Sequence, residues 1–177
     1  MHSPDFDVQI LQLNWLKHAD DPADLCAHGS VYVTIGGKAI VNEEDGDGWT
    51  LSAAALNLMR TLDRNYSPGD FAGQLIPCCG FFLVPDDAGE HVEIMGCENG
   101  IEWTVQQEGD FIRHIAASGE QALIGREDYK ELVLSFADKV ERFYHDSAPK
   151  TLPADDFDRK GYLTFWKEWR RLRGKWG

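Results

Sequence analysis

The most unusual chemistry in this sequence belongs to its cysteines and histidines. Pro77-Cys78-Cys79-Gly80 sets two thiols side by side, and Gly96-Cys97-Glu98-Asn99-Gly100 supplies a third. If residues 80–84 and 91–95 pair as a hairpin, the start of the first strand lies beside the end of the second. That pairing brings Cys79 and Cys97 to one end of a sheet. Three thiolates with His91 or His114 would match the sulfur and nitrogen ligands that zinc selects. Against this, the C-x2-C spacing of common zinc sites is missing, adjacent cysteines make an awkward pair of ligands, and cysteine often serves as a small buried hydrophobe. A nucleophilic thiol would also need a base within hydrogen-bond reach, which spacing alone does not supply. His91 and His114 fall on expected strands, where Glu93 or Glu102 could orient either ring for acid–base work; the same residues also suit the wet face of a sheet. His18 and His28 fall in turns, and His145 ends a helix, where the dipole favours a cation.

Other candidate motifs are incomplete. Glu43, Asp45 and Asp47 stand at positions 1, 3 and 5 of a calcium-type loop with Gly48 at position 6, but position 12 is Ala54, where a bidentate glutamate belongs. The segment from Asn42 to Gly48 therefore reads as an acidic surface loop. No glycine-rich phosphate loop and no G-x-S-x-G elbow is present, which counts against the common nucleotide-binding and hydrolase classes. The C-terminal run from Phe165 to Trp176 interleaves aromatic and basic residues. Tyr162, Phe165, Trp166, Trp169 and Leu172 keep helical spacing, so that run reads first as a helix docked on the body, its basic face set against an acidic surface.

Charge gives the strongest bulk signal. The formal net charge is −13 over 177 residues. Residues 1–124 hold 5 Lys and Arg against 20 Asp and Glu, whereas residues 125–177 hold 12 against 10. Such a field repels nucleic acid and anionic membranes and speeds encounter with a basic partner. In size, charge and apparent compactness the chain is similar to the small acidic immunity proteins with which bacteria neutralise their own toxins. No motif carries that resemblance, so it transfers no residue. The preferred functional expectation is a module binding a basic protein through Glu43, Glu44, Asp45, Asp47, Asp86, Asp87, Glu93 and Glu102. The alternative is a small enzyme or metal-binding protein with its site near Cys79, His91, Cys97 and His114. No cofactor is expected.

The elements that must position these residues follow from periodicity. Alternation marks strands over residues 7–16, 30–35, 38–41, 80–84, 91–95, 101–105 and 111–116, with Gly36-Gly37 as a two-residue hairpin turn. In the first of them Leu11, Leu13 and Trp15 fall on one parity and Val8, Ile10 and Leu16 on the other, a strand of mixed faces that could carry a bulge. Ala- and Leu-rich residues after Thr50 or Ser52 predict a helix that Asn65, Pro68 and Gly69 end. A long amphipathic helix spans Arg126 to His145, and Asp155 or Asp156 caps a last one. Strands cluster instead of alternating with helices. The fold expected is α+β, a mostly antiparallel sheet of six to seven strands packed on two or three helices, forming a single domain over residues 1–177 with residues 155–177 as its docked C-terminal helix. The opening Met1-His2-Ser3-Pro4-Asp5 has neither a basic nor an apolar leader segment, and no run reaches membrane-spanning length. With Cys78 and Cys79 poorly placed to bridge each other, reduced thiols and a cytoplasmic location are expected.

Overall fold

The computed structural model describes residues 5–177; the opening Met1-His2-Ser3-Pro4, read above for a leader, lies outside the described residues. Strand β1 (Phe6–Asn14) buries Phe6, Val8 and Ile10 and then changes parity, because its register against the next strand shifts between Ile10 and Gln12. This is the expected bulge, and it lets one strand feed two faces. Strand β2 (His28–Ile35) pairs antiparallel with β1 and with β3 (Lys38–Val41). Gly36 and Gly37, at φ of 61° and 77°, make the turn between β2 and β3. Both positive angles suit a primed hairpin turn, which side chains with a Cβ resist. Strand β4 (Trp49–Thr50) pairs with the start of β2 and completes a four-stranded sheet.

Five further strands form two separate sheets. Strands β5 (Phe82–Pro85) and β6 (Val92–Met95) make a two-stranded hairpin, while β7 (Thr104–Glu108), β8 (Phe111–Ile115) and β9 (Gln121–Gly125) make a three-stranded meander. All pairings among the named strands are antiparallel. The α+β class thus holds, but the single sheet of six to seven strands does not. The break comes between Met95 and Thr104. There Ile101 leaves the ladder to exchange backbone bonds with Ile76, and Trp103 turns wholly into the core. Strand β7 accordingly starts three residues later than alternation from Ile101 suggested.

Three helices cover these sheets. Helix α1 (Leu51–Arg60) is buried at every residue, so it runs through the interior instead of lying on it. Helix α2 (Arg126–His145) buries Tyr129, Leu132, Val133, Phe136, Ala137 and Val140 in one stripe. Helix α3 (Asp156–Trp176) starts at Asp155, whose side chain accepts from Asp158 N–H at 3.0 Å. It places Phe165, Trp169 and Leu172 in the same hydrophobic cluster as residues of both larger sheets and α1. Its basic residues meet acids along the way: Lys167 pairs with Glu90, Arg173 with Asp138 and Lys175 with Asp63. Gly161 is required for that seat, since a Cβ there would lie 2.4 Å from the Leu83 carbonyl oxygen. No helix among the described residues is long and apolar enough to cross a membrane.

Candidate metal centre

The β5–β6 hairpin sets the centre. Phe82 stands opposite Met95, so the chain entering β5 and the chain leaving β6 lie together. The Pro77–Gly80 bend turns both neighbouring cysteine side chains to one side. Cys78 Sγ lies 2.8 Å from Cys97 Sγ and 3.4 Å from Cys79 Sγ, and all three sulfurs fall within 4.8 Å of one another. All four cysteines are free thiols, well outside the ~2.05 Å of a disulfide. A tetrahedral zinc with Zn–S near 2.3 Å would hold its sulfurs about 3.8 Å apart, so a small adjustment of this triangle closes around such an ion.

Each edge of the centre is fixed from behind. Gly80 turns tightly, because a Cβ there would meet Pro77 Cγ at 2.7 Å and Ala53 Cβ at 2.8 Å. Thr50, fully buried at the head of α1, accepts from Gly80 N–H at 3.1 Å and donates to the Cys78 carbonyl at 3.3 Å. Its hydroxyl is thereby committed to the cysteine bend, and it makes no side-chain cap for the helix. On the other side, Gln74 Nε2 donates to the Cys97 carbonyl at 2.6 Å. The Gln74 amide is wrapped by Gly96 and Gly100, where a Cβ would stand 1.9 and 2.3 Å from its Oε1. Asn57 Nδ2 in turn donates to the Gln74 carbonyl at 2.6 Å, which ties the Cys97 loop to α1.

The three thiols are not equivalent. Burial, then hydrogen bonding to Cys97 and Cys79, pushes the Cys78 thiol up to about 12. Cys97 is held below its ordinary value, because it accepts hydrogen bonds from Cys78, the Asn99 backbone N–H and Cys79. Cys97 therefore gives up its proton more readily than Cys78. A cation shared by the three sulfurs would take over the role of those thiol protons, since metal binding requires the thiolate form. Cys26 stands apart; burial and the neighbouring Asp24 push its thiol up to about 12.

The histidines do not complete the group that the sequence suggested. His114 lies on β8 with no exposure, stacked on Phe6 at 3.7 Å between ring centroids, and its Nδ1 accepts from Trp103 Nε1 at 2.9 Å. It is a core residue. His91 precedes β6 and pairs with Glu168 of α3 at 3.1 Å; neither Glu93 nor Glu102 orients it. Glu102 instead accepts from the Tyr66 hydroxyl. His28, read as a turn residue, begins β2 and is buried. Its Nδ1 donates to the Cys26 carbonyl at 2.9 Å, and its Nε2 lies 3.5 Å from Thr50 Oγ1. His28 and Cys78 share the wall of a cleft of about 460 Å³ with Leu16, Leu25, Cys26 and Phe81.

The eight carboxylates proposed for partner binding are spread over distinct places. Glu43, Glu44 and Asp45 form an exposed 3-10 turn, in which Asp45 accepts from Asn42 N–H at 2.8 Å. Asp47 pairs with His18 at 3.3 Å. Asp86 caps the β5–β6 turn by accepting from Glu90 N–H at 2.8 Å, and that bond leads those holding its carboxyl below the usual range. Asp87 offers its carbonyl to Lys160 at 3.1 Å, and Glu93 points outward from β6. Four of the eight side chains, Asp45, Asp47, Asp86 and Glu102, are thus engaged with the protein itself.

No protein-family model matches the chain, and neither the curated proteins nor the solved structures give a significant match.

Proposed function

We propose that this protein binds a thiophilic cation of the zinc class through Cys78, Cys79 and Cys97. One observation carries the reading: three sulfurs from two separate segments converge within 4.8 Å, each segment held by a hydrogen bond with a buried residue's side chain. Three protein ligands leave a fourth position for water or an exogenous group, the arrangement typical of reactive zinc sites, whereas closed structural sites use four. Sulfur donors favour zinc or copper(I) over magnesium or calcium. Bound there, such an ion would act as a Lewis acid, with Thr50 and Gln74 fixing the ligands from the second layer.

The test is metal retention by the reduced protein. After loading with zinc under anaerobic conditions and dialysis, about one ion per chain is expected to remain. Cobalt(II) in its place is expected to show sulfur-to-metal charge-transfer absorption. Cys97→Ser, Cys78→Ser or Cys79→Ser should each weaken binding at least ten-fold, while Cys26→Ser should not. A protein that retains no metal, or a Cys97→Ser variant that retains it as well as the parent, refutes the reading.

A further inference from the structure

A second cleft, of about 380 Å³, opens where the end of α1, the 64–73 segment and the start of β6 meet. Its wall includes Asn57, Arg60, Arg64, Ser67, Asp70 and His91. Residues 1–124 contain only 5 Lys and Arg, yet two of them, Arg60 at the end of α1 and Arg64 in the turn that follows, stand in this cleft. Arg171 of α3 backs them, 3.8 Å from Glu168.

Cations and acids come close to balance here, unlike in residues 1–124 as a whole. Glu168, 2% exposed, is the one buried carboxylate here, and Arg60 takes both its oxygens, with Nε–Oε1 at 2.9 Å and Nη2–Oε2 at 2.8 Å. Arg60 is further consumed by Asn57 Oδ1 at 3.0 Å and the Val92 carbonyl. Asp63, the acid next to Arg64 in sequence, is engaged by Lys175. The Arg64 guanidinium makes no hydrogen bond or ion pair among the described residues. Burial first, then the charges of Arg60 and Arg171, lower its pKa, while Glu168 and Asp63 oppose them. His91 donates through Nδ1 to Glu168 at 3.1 Å, and that bond fixes the ring and leaves Nε2 free to face a ligand. Both acids on the cleft, Asp70 and Glu93, are exposed, and Asp70 accepts from Ala72 N–H at 3.0 Å.

We infer that this cleft binds the oxyanion group of a small ligand, a phosphate or a carboxylate, on the guanidinium of Arg64 with His91 beside it. A planar guanidinium with no internal partner, next to further cations in a polar recess, is the arrangement that recognises such groups by paired hydrogen bonds. The two exposed acids there, Asp70 and Glu93, disfavour multiply charged polyanions. The site is separate from the three cysteines and does not depend on a metal.

Inorganic phosphate and acetate are the two probes, each titrated into isotopically labelled protein at constant ionic strength, with chloride as reference. Phosphate or acetate should shift the backbone resonances around Arg64 and the His91 ring signals saturably, in the millimolar range, and the tighter of the two identifies the oxyanion. Arg64→Gln should weaken binding ten-fold or more with an unchanged melting temperature, since that side chain is exposed. His91→Gln should weaken it several-fold, and Lys139→Gln on the far helix should leave it unchanged. Shifts no larger than those from chloride, or equal binding by Arg64→Gln, overturn the inference.

Discussion

His114 makes the protein lose stability in mild acid, by an amount that its burial sets. The imidazole has no exposure, its Nδ1 is taken by Trp103, and its Nε2 has no partner among the described residues. Desolvation alone drives its pKa from 6.5 down to about 3. The unfolded chain therefore binds this proton below pH 6.5 and the folded chain does not until near pH 3, so stability is complete above 6.5 and falls as pH drops through that window. The slope approaches 1.4 kcal/mol per pH unit, which comes to about 2 kcal/mol by pH 5 and about 4 kcal/mol by pH 3. Urea unfolding at half-unit steps from pH 7.5 to 5 reads the loss while the carboxylates are still largely ionised. The assignment is direct by NMR: the His114 ring should stay neutral, with the proton on Nε2, throughout that range. A His114 ring that titrates near pH 6, or a stability profile flat to within about 0.5 kcal/mol between pH 7 and 5, would refute the reasoning.

Two further predictions concern the scaffold. Burial alone would raise the Glu168 carboxyl, but Arg60, Val92 N–H and His91 together hold it below its ordinary value. Glu168→Gln leaves Arg60 buried without a counter-charge and should cost about 3–5 kcal/mol in thermal or urea unfolding, with Arg60→Met/Glu168→Leu recovering much of it; a cost under about 1 kcal/mol for the single change would show the pair to be dispensable. Gly96→Ala would force Gln74 off the Cys97 carbonyl, and zinc affinity, read by competition with a chelator, should fall about ten-fold while the fold persists.

Much of this was legible in the sequence where one periodicity dominates. The stripe of α2 from Tyr129 to Val140, the Gly36-Gly37 turn and the Asp155 cap of α3 follow from local rules. Strand β9 escaped because its exposed Leu123, between buried Ala122 and Ile124, turns an alternating pattern into a short apolar run that ends in a helix start. The approach of Cys79 and Cys97 was readable from the expected hairpin. The central place of Cys78 was not, because it depends on the tight bend that Gly80 permits against Ala53. His91 and His114 shared a region in the reading of the chain, yet their partners, Glu168 and Trp103, are fixed by tertiary packing. The Arg60–Glu168 pair spans 108 residues, and no local signal announces it. Composition says how much charge is present; the fold decides where it gathers.

That long span also governs how the molecule comes to be made. The interior helix α1 finds its charge partner, and part of its apolar wall, only in Phe165 to Leu172. Until those residues leave the ribosome, a nascent chain lacks the carboxylate that neutralises Arg60 and part of the apolar wall around α1. A chain cut short before Glu168 should therefore expose apolar surface and be sticky and quickly degraded.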